Sequence, residues 1–544
     1  MNFEILIIGT DANAYYMARC YHEAYNKKAN LLGKTPMIYT KYTNILNVIY
    51  NDKIWTEEGF LEAIEDFRKQ HPNKKILLIS SNETYAEFIS KNKEKIHEQF
   101  VHNYPNIDII NSLIMKETFY KTYENSFLPK IVHIPIAQEC DYEYKIVVKK
   151  GDVVEEGDVI ASYVDSEGNC VNIHSSIPGT VLDFVPTICP NGKFEYSIKI
   201  QLQGSFKYLG KKKSENNVDA IFPKTILSNL IDKGVVNTFL VSNPVNLGFE
   251  IKNLGSKVKN LVVRLCDEDE YRLTDSLMSK FFIQEILIAV KLLAKTINAQ
   301  GVLFVVNKKF ENLKELQDFQ MENARILTID NKTFPCGFKR DIINSFNKSL
   351  KKSVPFKITK NDLYVDSSTL YEVYKAVILE LPSIEKFVHI TGNCIYSSCL
   401  LNLKMGTSIN DVIKQIGGYE SNPAMVVVNG SQTGTSVSSL DVPITKYTKS
   451  VSILANNKIT DSHIYSCVNC GNCRLSCPAN ICPDILYKYA IEKNEIDSIY
   501  LDSVSLCNEC GLCNTVSPAR LPLGQMITTL KSETINKGKN QNEE

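Results

Sequence analysis

Cys467-Val-Asn-Cys-Gly-Asn-Cys-Arg-Leu-Ser-Cys-Pro478 is followed, forty positions on, by Cys507-Asn-Glu-Cys-Gly-Leu-Cys-Asn-Thr-Val-Ser-Pro518. The first run spaces its thiols C-x2-C-x2-C-x3-C and ends in proline; the second repeats the triplet and carries Ser517 where the fourth thiol would stand. An iron–sulfur cubane needs thiolates on neighbouring corners, and a tight loop with two-residue spacers supplies three of them. Gly471 and Gly511 occupy equivalent places and let the backbone wrap close. Zinc usually takes its four ligands from two separated pairs, so triplets of this kind point to iron and sulfide.

Where two such runs share one module, the fourth cysteine of each ligates the other cluster. Applied here, Cys507, Cys510, Cys513 and Cys477 form one complete site. The other holds Cys467, Cys470 and Cys473, with Ser517 at its fourth corner. Serine is a harder donor than thiolate. That corner is therefore read as a serine alkoxide, a water, the gap of a [3Fe–4S] cluster, or a labile position. The cofactors expected are two [4Fe–4S] clusters, one with this Ser-ligated or three-iron alternative. Cys482, five residues past Cys477, is an alternative ligand for that corner, with an ordinary buried cysteine as its default reading. The cysteines at 20, 140, 170, 189, 266, 336, 394 and 399 have no metal spacing, and burial as small apolar side chains is the default for them.

The chain has 544 residues, too many for one core, and is 44% hydrophobic and 22% charged. Lys+Arg and Asp+Glu both number 61. No global basic field argues for nucleic acid or an anionic membrane. Lys211, Lys212 and Lys213 read as a linker, the acidic run Asp267–Glu270 as a solvated loop, and residues 531–544 as a polar tail. The N-terminal Met1–Gly9 reads as a buried strand and not a signal peptide. Phe281–Ile297 is interrupted by Gln284, Glu285, Lys291 and Lys295, so it is an amphipathic helix and no direct membrane span is expected. Without an export signal, the sixteen cysteines are expected as reduced thiols or metal ligands of a cytoplasmic protein.

The pattern along the chain is multidomain, α/β plus β. Residues 1–129 alternate strand and helix: strand Glu4–Ile8, a helix through Tyr25, a strand near Met37–Tyr39, a strand at Lys75–Ser80, and a helix opened by Asn82. That alternation favours a parallel sheet. Residues 131–207 turn to short strands with glycine turns, a small β-sandwich. Residues 220–380 return to α/β, with strands Asn260–Arg264 and Gly301–Val306 joined by a helix from Ser276 to Ile297. Residues 386–453 are β-rich with a helix at Ile409–Gln415, and 460–530 are helical and cysteine-dense. His174 reads as a surface or packing histidine.

These motifs together resemble the RnfC family of the Rnf electron-transport complex and its relative, the proline-reductase-associated electron-transfer protein. The resemblance covers about 131–530. It rests on both cysteine runs, Pro518–Leu523, Ile173–Val181, Leu277-Met278, Val388-His-Ile-Thr-Gly392, Gly406–Ile409 and Ser439–Ile444. It implies a barrel-sandwich hybrid, a central α/β domain, a soluble-ligand-binding β-grasp domain and a two-cluster ferredoxin-type domain. It also implies electron transfer between a flavin- or pyridine-nucleotide-linked partner and an acceptor reductase or membrane complex, from a position at the inner membrane face. The family's glycine-rich nucleotide loop corresponds to Lys233-Gly-Val-Val-Asn-Thr-Phe-Leu-Val-Ser-Asn-Pro244, where Gly234 is the only glycine. Phosphate cradles need backbone N–H groups unobstructed by Cβ. The Gly234–Pro244 stretch is therefore not expected to hold FMN or NADH.

Residues 1–129 resemble instead the pre-ATP-grasp N-terminal domain of carboxylate–amine ligases, through Ile8–Tyr15, Ala18-Arg19, His22-Glu23, Leu32-Gly-Lys34, Lys75–Asn82 and Tyr85. No ligase domain follows, so no ligase activity is expected. Three functions remain in view. The first is an iron–sulfur carrier docked on a flavoprotein, reductase or Rnf-type membrane complex. The second is an NADH-oxidising flavin and iron–sulfur oxidoreductase component. The third is a scaffold that binds through its N-terminal domain.

Overall fold

The computed structural model describes residues 3–104, 123–136, 138, 144–164, 170–209, 218–242, 244–269, 271–308, 314–319, 321, 323–329, 334, 336–349, 356–455, 463–492 and 497–540. Lys211–Lys213, Cys140, Asn243, Glu270 and the last four residues lie outside them. The chain packs as two compact units, Met1–Lys121 and Thr122–Glu544.

The first unit is a five-stranded parallel sheet. Its spatial order is Leu46–Tyr50, Ala29–Gly33, Phe3–Ile8, Lys75–Ser80, Phe100–Val101. The sequence reading missed Ala29–Gly33 and Leu46–Tyr50 and put a strand at Met37–Tyr39, where Ile38–Lys41 is a short helix. Ala29–Gly33 is buried at every position, so it lacks the alternation that marks a half-exposed strand. Asp11 caps the helix Ala12–Tyr25, and Asn82 caps Glu83–Lys91. Side chains on both sheet faces form separate apolar cores, one around Phe60, Phe67 and Leu78 and the other around Ile5, Ala18 and Leu31.

In the second unit, residues 131–202 form two packed antiparallel sheets. One orders Ile131–Pro135, Phe194–Leu202, Gly179–Ile188, Val153–Val154; the other orders Cys170–His174, Val159–Val164, Lys145–Ile146. Val132, Ile160, Ile173, Ile198 and Ile200 fill the space between. Gly151 and Gly157 take the positive φ that their turns require. Gly179 does not: it lies in a strand where a Cβ would press on the Gln201 carbonyl. There glycine serves close approach and not turning.

A parallel sheet follows, ordered Ala324–Ile329, Gly301–Asn307, Asn260–Arg264, Leu363–Asp366. The single helix expected from Ser276 to Ile297 is two, Thr274–Phe281 and Ile283–Ile297. Phe282 leaves the helical region at φ −130°, ψ 32°, and its ring packs on Tyr371 and Phe387 at centroid distances of 4.4 and 5.1 Å. A six-stranded mixed sheet then gathers Thr435–Val437, Pro423–Val428, Ser450–Ala455, Glu385–Gly392, Cys399–Lys404 and Glu124–Asn125 in that order. The helix Ile409–Gln415 falls as read, capped by Ser408.

The acidic run is not a solvated loop. Glu268 and Asp269 are buried, and the Asp267 side chain is 2% exposed. Arg264 and Arg272 flank Glu268 at 3.1 and 2.5 Å, while Lys449 reaches Asp275 at 2.7 Å and Asp366 at 2.5 Å. Lone buried charges are prohibitive, and paired ones are tolerated. Arg264 and Arg272 stand four residues either side of Glu268, whereas Asp366 and Lys449 join from distant segments that local charge density does not reveal.

Candidate metal centre

The two cysteine runs fold as one structure repeated. Asn469 and Glu509 both take left-handed φ, 54° and 57°, and so do Asn480 and Arg520, both at 54°. Gly471 and Gly511 open the short helices Asn472–Leu475 and Leu512–Thr515. The longer helices Pro483–Glu492 and Leu523–Asn540 then pack through Leu486, Ala490, Ile527 and Leu530. Residues 531–540 thus continue a helix where the sequence suggested a tail.

This repeat brings the eight predicted positions together in crossed fashion. One cavity is lined by Cys467, Cys470 and Cys473 of the first run and by Ser517, Pro518 and Ala519 of the second. Another is lined by Cys507, Cys510 and Cys513 together with Cys477, Pro478 and Ala479. Cys482 lines neither and is half-buried. The backbone at the two fourth corners is the same: Cys477 N–H donates to the Arg474 carbonyl at 3.3 Å and Ser517 N–H to the Asn514 carbonyl at 3.3 Å. Ser517 Oγ accepts from Leu521 N–H at 3.3 Å.

Among the described residues, no three His, Cys, Asp or Glu side chains converge tightly enough to hold a single metal ion. Zinc at 2.3 Å from each sulfur would draw its thiolates to about 3.8 Å from one another. Thiols spread around a cavity suit a multi-iron cluster. Burial pushes the Cys507 thiol up to about 11 and, with neighbouring cysteines, Cys513 up to about 12; Cys473 and Cys510 are raised for the same leading reason. A bound cation reverses that preference and takes these groups as thiolates. The donor set therefore fits iron–sulfur clusters. Of the other cysteines, Cys189, Cys266, Cys336 and Cys394 are buried as read, whereas Cys20 and Cys170 are exposed. His174 is a packing histidine, 5% exposed.

The surroundings hold the runs in place. Arg474 grips Asp484 with two hydrogen bonds of 2.7 and 2.6 Å beside the first cavity. Lys531 donates to the Cys507 carbonyl at 3.0 Å and to Glu509 at 2.6 Å beside the second.

The segment that would correspond to a nucleotide loop does not fit one. Gly234, at φ 66°, ends the helix Pro223–Asp232: its N–H donates to the Ile231 carbonyl and the Val235 N–H to the Leu230 carbonyl. The next N–H groups are occupied, Thr238 by Thr369 Oγ1 at 2.9 Å and Phe239 by Asn237 Oδ1 at 3.1 Å. Arg264 stacks 4.1 Å over the Phe239 ring and donates to the Phe239 and Gly337 carbonyls, both at 3.1 Å. The Asp366 carboxylate accepts the Thr238 hydroxyl at 3.0 Å. These N–H groups are already spent within the fold, and a buried anion would repel a phosphate.

Residues 115–205 match the model of the RnfC barrel-sandwich hybrid domain. Over 376 residues, 68% of this chain, the sequence is 24% identical to the C component of the "proton-translocating ferredoxin:NAD(+) oxidoreductase complex" of Clostridium ljungdahlii, covering 81% of that protein. It is 26% identical over 382 residues to the C component of the "ion-translocating oxidoreductase complex" of Buchnera aphidicola, covering 72% of it. The same component of the Klebsiella pneumoniae complex is 23% identical, with 48% of its length covered. Among solved structures, an NAD+-reducing [NiFe]-hydrogenase in the air-oxidised state aligns with 88% of this chain and 85% of its own at a TM-score of 0.35 and 10% identity.

Proposed function

Since the RnfC proteins of Rnf complexes are homologues of this chain over about 68% of its length, we propose that it is an electron-transfer component of an ion-translocating ferredoxin:NAD+ oxidoreductase-type assembly. In this reading it relays single electrons through two iron–sulfur clusters. The observation that carries the proposal is the crossed pair of cavities. Each is lined by three cysteines of one run and the fourth position of the other.

Cys507, Cys510, Cys513 and Cys477 would hold one [4Fe–4S] cluster, and Cys467, Cys470 and Cys473 with Ser517 the other. When bound, such clusters take up and release one electron at a time. The protein tunes their potential through ligand identity, hydrogen bonds and burial. Arg474–Asp484 and Lys531–Glu509 place fixed charges beside the two cavities and anchor the loops that carry the thiols. The occupied N–H groups around Thr238 and Phe239 speak against a flavin or nicotinamide held by this segment. Electrons would then enter and leave through protein partners, a flavoprotein, a reductase or the membrane part of the complex. In this reading the chain sits peripherally on the inner membrane face; no helix among the described residues is long and apolar enough to cross a membrane.

The test is iron and acid-labile sulfide content, with EPR, on protein purified without oxygen. The expected result is one standard four-iron cluster and a second with three irons or a non-thiolate ligand. Zinc, or no metal, in those sites would overturn the proposal.

A further inference from the structure

The forty-residue repeat contains its own control. Gly471 and Gly511 share a backbone conformation, φ 76°, ψ −1° and φ 72°, ψ −1°. A Cβ on Gly471 would meet nothing within 4 Å, whereas one on Gly511 would lie 2.7 Å from the carbonyl oxygen of Gln432. Residues 463–470 are all exposed, whereas Cys507–Cys513 are half-buried or buried. Equal local structure thus has unequal surroundings: the second run is seated against the loop 429–434, and the first faces open space.

That loop is gripped from within. The Asp269 carboxylate accepts the N–H groups of Ser431 at 3.3 Å, Gln432 at 2.8 Å and Thr433 at 3.2 Å, and the Thr433 hydroxyl at 3.4 Å. Consecutive N–H groups aimed at one point form an anion nest, and here the chain supplies its own anion. Gly430 stands at φ 105°, where a Cβ would come 2.5 Å from Asp269 Oδ2. Arg272 donates to the Asn429 carbonyl at 3.2 Å, and the Thr433 hydroxyl does so at 3.2 Å. A second tie runs from Arg340 to the Ala479 carbonyl at 3.0 Å, and Ala479 lines the cavity of Cys507, Cys510, Cys513 and Cys477.

We infer that Asp269 is a positioning residue for the second cluster site: by fixing the 429–434 loop it presses the Gln432 carbonyl onto Gly511 and seats the Cys507–Cys513 run. This inference rests on the iron–sulfur reading above.

The test uses the full-length chain loaded with iron and sulfide under anaerobic conditions. Iron release to a ferrous chelator is followed by absorbance, with EPR assigning each phase. Wild type is expected to lose the exposed first-run cluster quickly and the seated one slowly. Asp269→Asn keeps the volume and removes the charge-assisted acceptor. It should speed the slow phase about tenfold, the order expected for losing hydrogen bonds to a charged group, and leave the fast phase alone. Gly511→Ala should do the same, and Gly471→Ala, equally strained in its backbone, should not touch the slow phase. A slow phase that ignores both Asp269→Asn and Gly511→Ala would overturn the inference while the cluster reading stands. Wild-type protein that holds no iron would overturn both.

Discussion

Ser517 stands where the repeat asks for a thiol, and its backbone matches that of Cys477 hydrogen bond for hydrogen bond: Asn480 N–H to the Cys477 carbonyl and Arg520 N–H to the Ser517 carbonyl, both at 3.1 Å. A thiol there needs no rearrangement. Ser517→Cys is therefore expected to convert the cluster at Cys467, Cys470 and Cys473 into a standard four-iron cluster, read by iron content and EPR. Spectra identical to wild type would refute the crossed ligand set. His174 makes a different prediction. Burial, then the charges of Lys446 and Lys233, hold its imidazole down at about 3. Above its ordinary value near 6.5 both folded and unfolded forms are neutral, and the stability is fully present. As pH falls below 6.5, only the unfolded chain takes the proton, so stability is lost progressively toward pH 3. The loss is about 2 kcal/mol at pH 5. Chemical denaturation at pH 7 and pH 5 should show that slope, and His174→Leu should flatten it.

Elements with a local signature could be read from the sequence. The helix Ile409–Gln415, the strand Asn260–Arg264 and the cysteine loops carry their caps, their branched runs or their spacing within a few residues. What the sequence hid is set by distant partners. Phe282 breaks a helix because Tyr371 and Phe387 receive its ring. Asp269 closes a nest built from residues 431–433. The crossing of the two runs was legible because the repeat encodes it, but the seating of only one of them was not. Lys449 shows what such hidden partners sustain. From the start of the strand Ser450–Ala455 it neutralises Asp275 and Asp366, all three fully buried. Burial pushes Asp366 up, but Lys449 and Arg264 outweigh it and hold the carboxyl well below its ordinary range. Lys449→Met would remove the only cation that, among the described residues, stands within ion-pair distance of both buried carboxylates, leaving Arg264 to act on them from farther off. A loss of about 3–5 kcal/mol is expected, the scale for breaking a buried pair from one side. Urea unfolding measures it, and a loss below about 1 kcal/mol, the scale of an exposed pair, would show that water reaches the network.

For the molecule as a whole, the closed segment around Thr238 bears on where the proposed relay would draw its electrons. Binding a dinucleotide there needs several N–H groups free to face phosphate. Opening it would strip the Thr238 N–H from Thr369, free Arg264 from two carbonyls and from the Phe239 ring, and bring phosphate toward the buried Asp366 carboxylate. Each of these steps costs free energy, because buried polar groups left without partners are penalised. Compensation by Arg264 itself is blocked, since Glu268 already binds it and is held at about 2 by Arg264 and Arg272 against its burial. The cluster-loaded chain alone is therefore expected to keep its visible absorbance when NADH is added and to bleach with dithionite. Bleaching should follow NADH only when a flavoprotein partner is supplied. Direct bleaching by NADH, or FMN retained in stoichiometric amount after gel filtration, would mean that this segment opens. The chain would then be an oxidoreductase in its own right and not a relay.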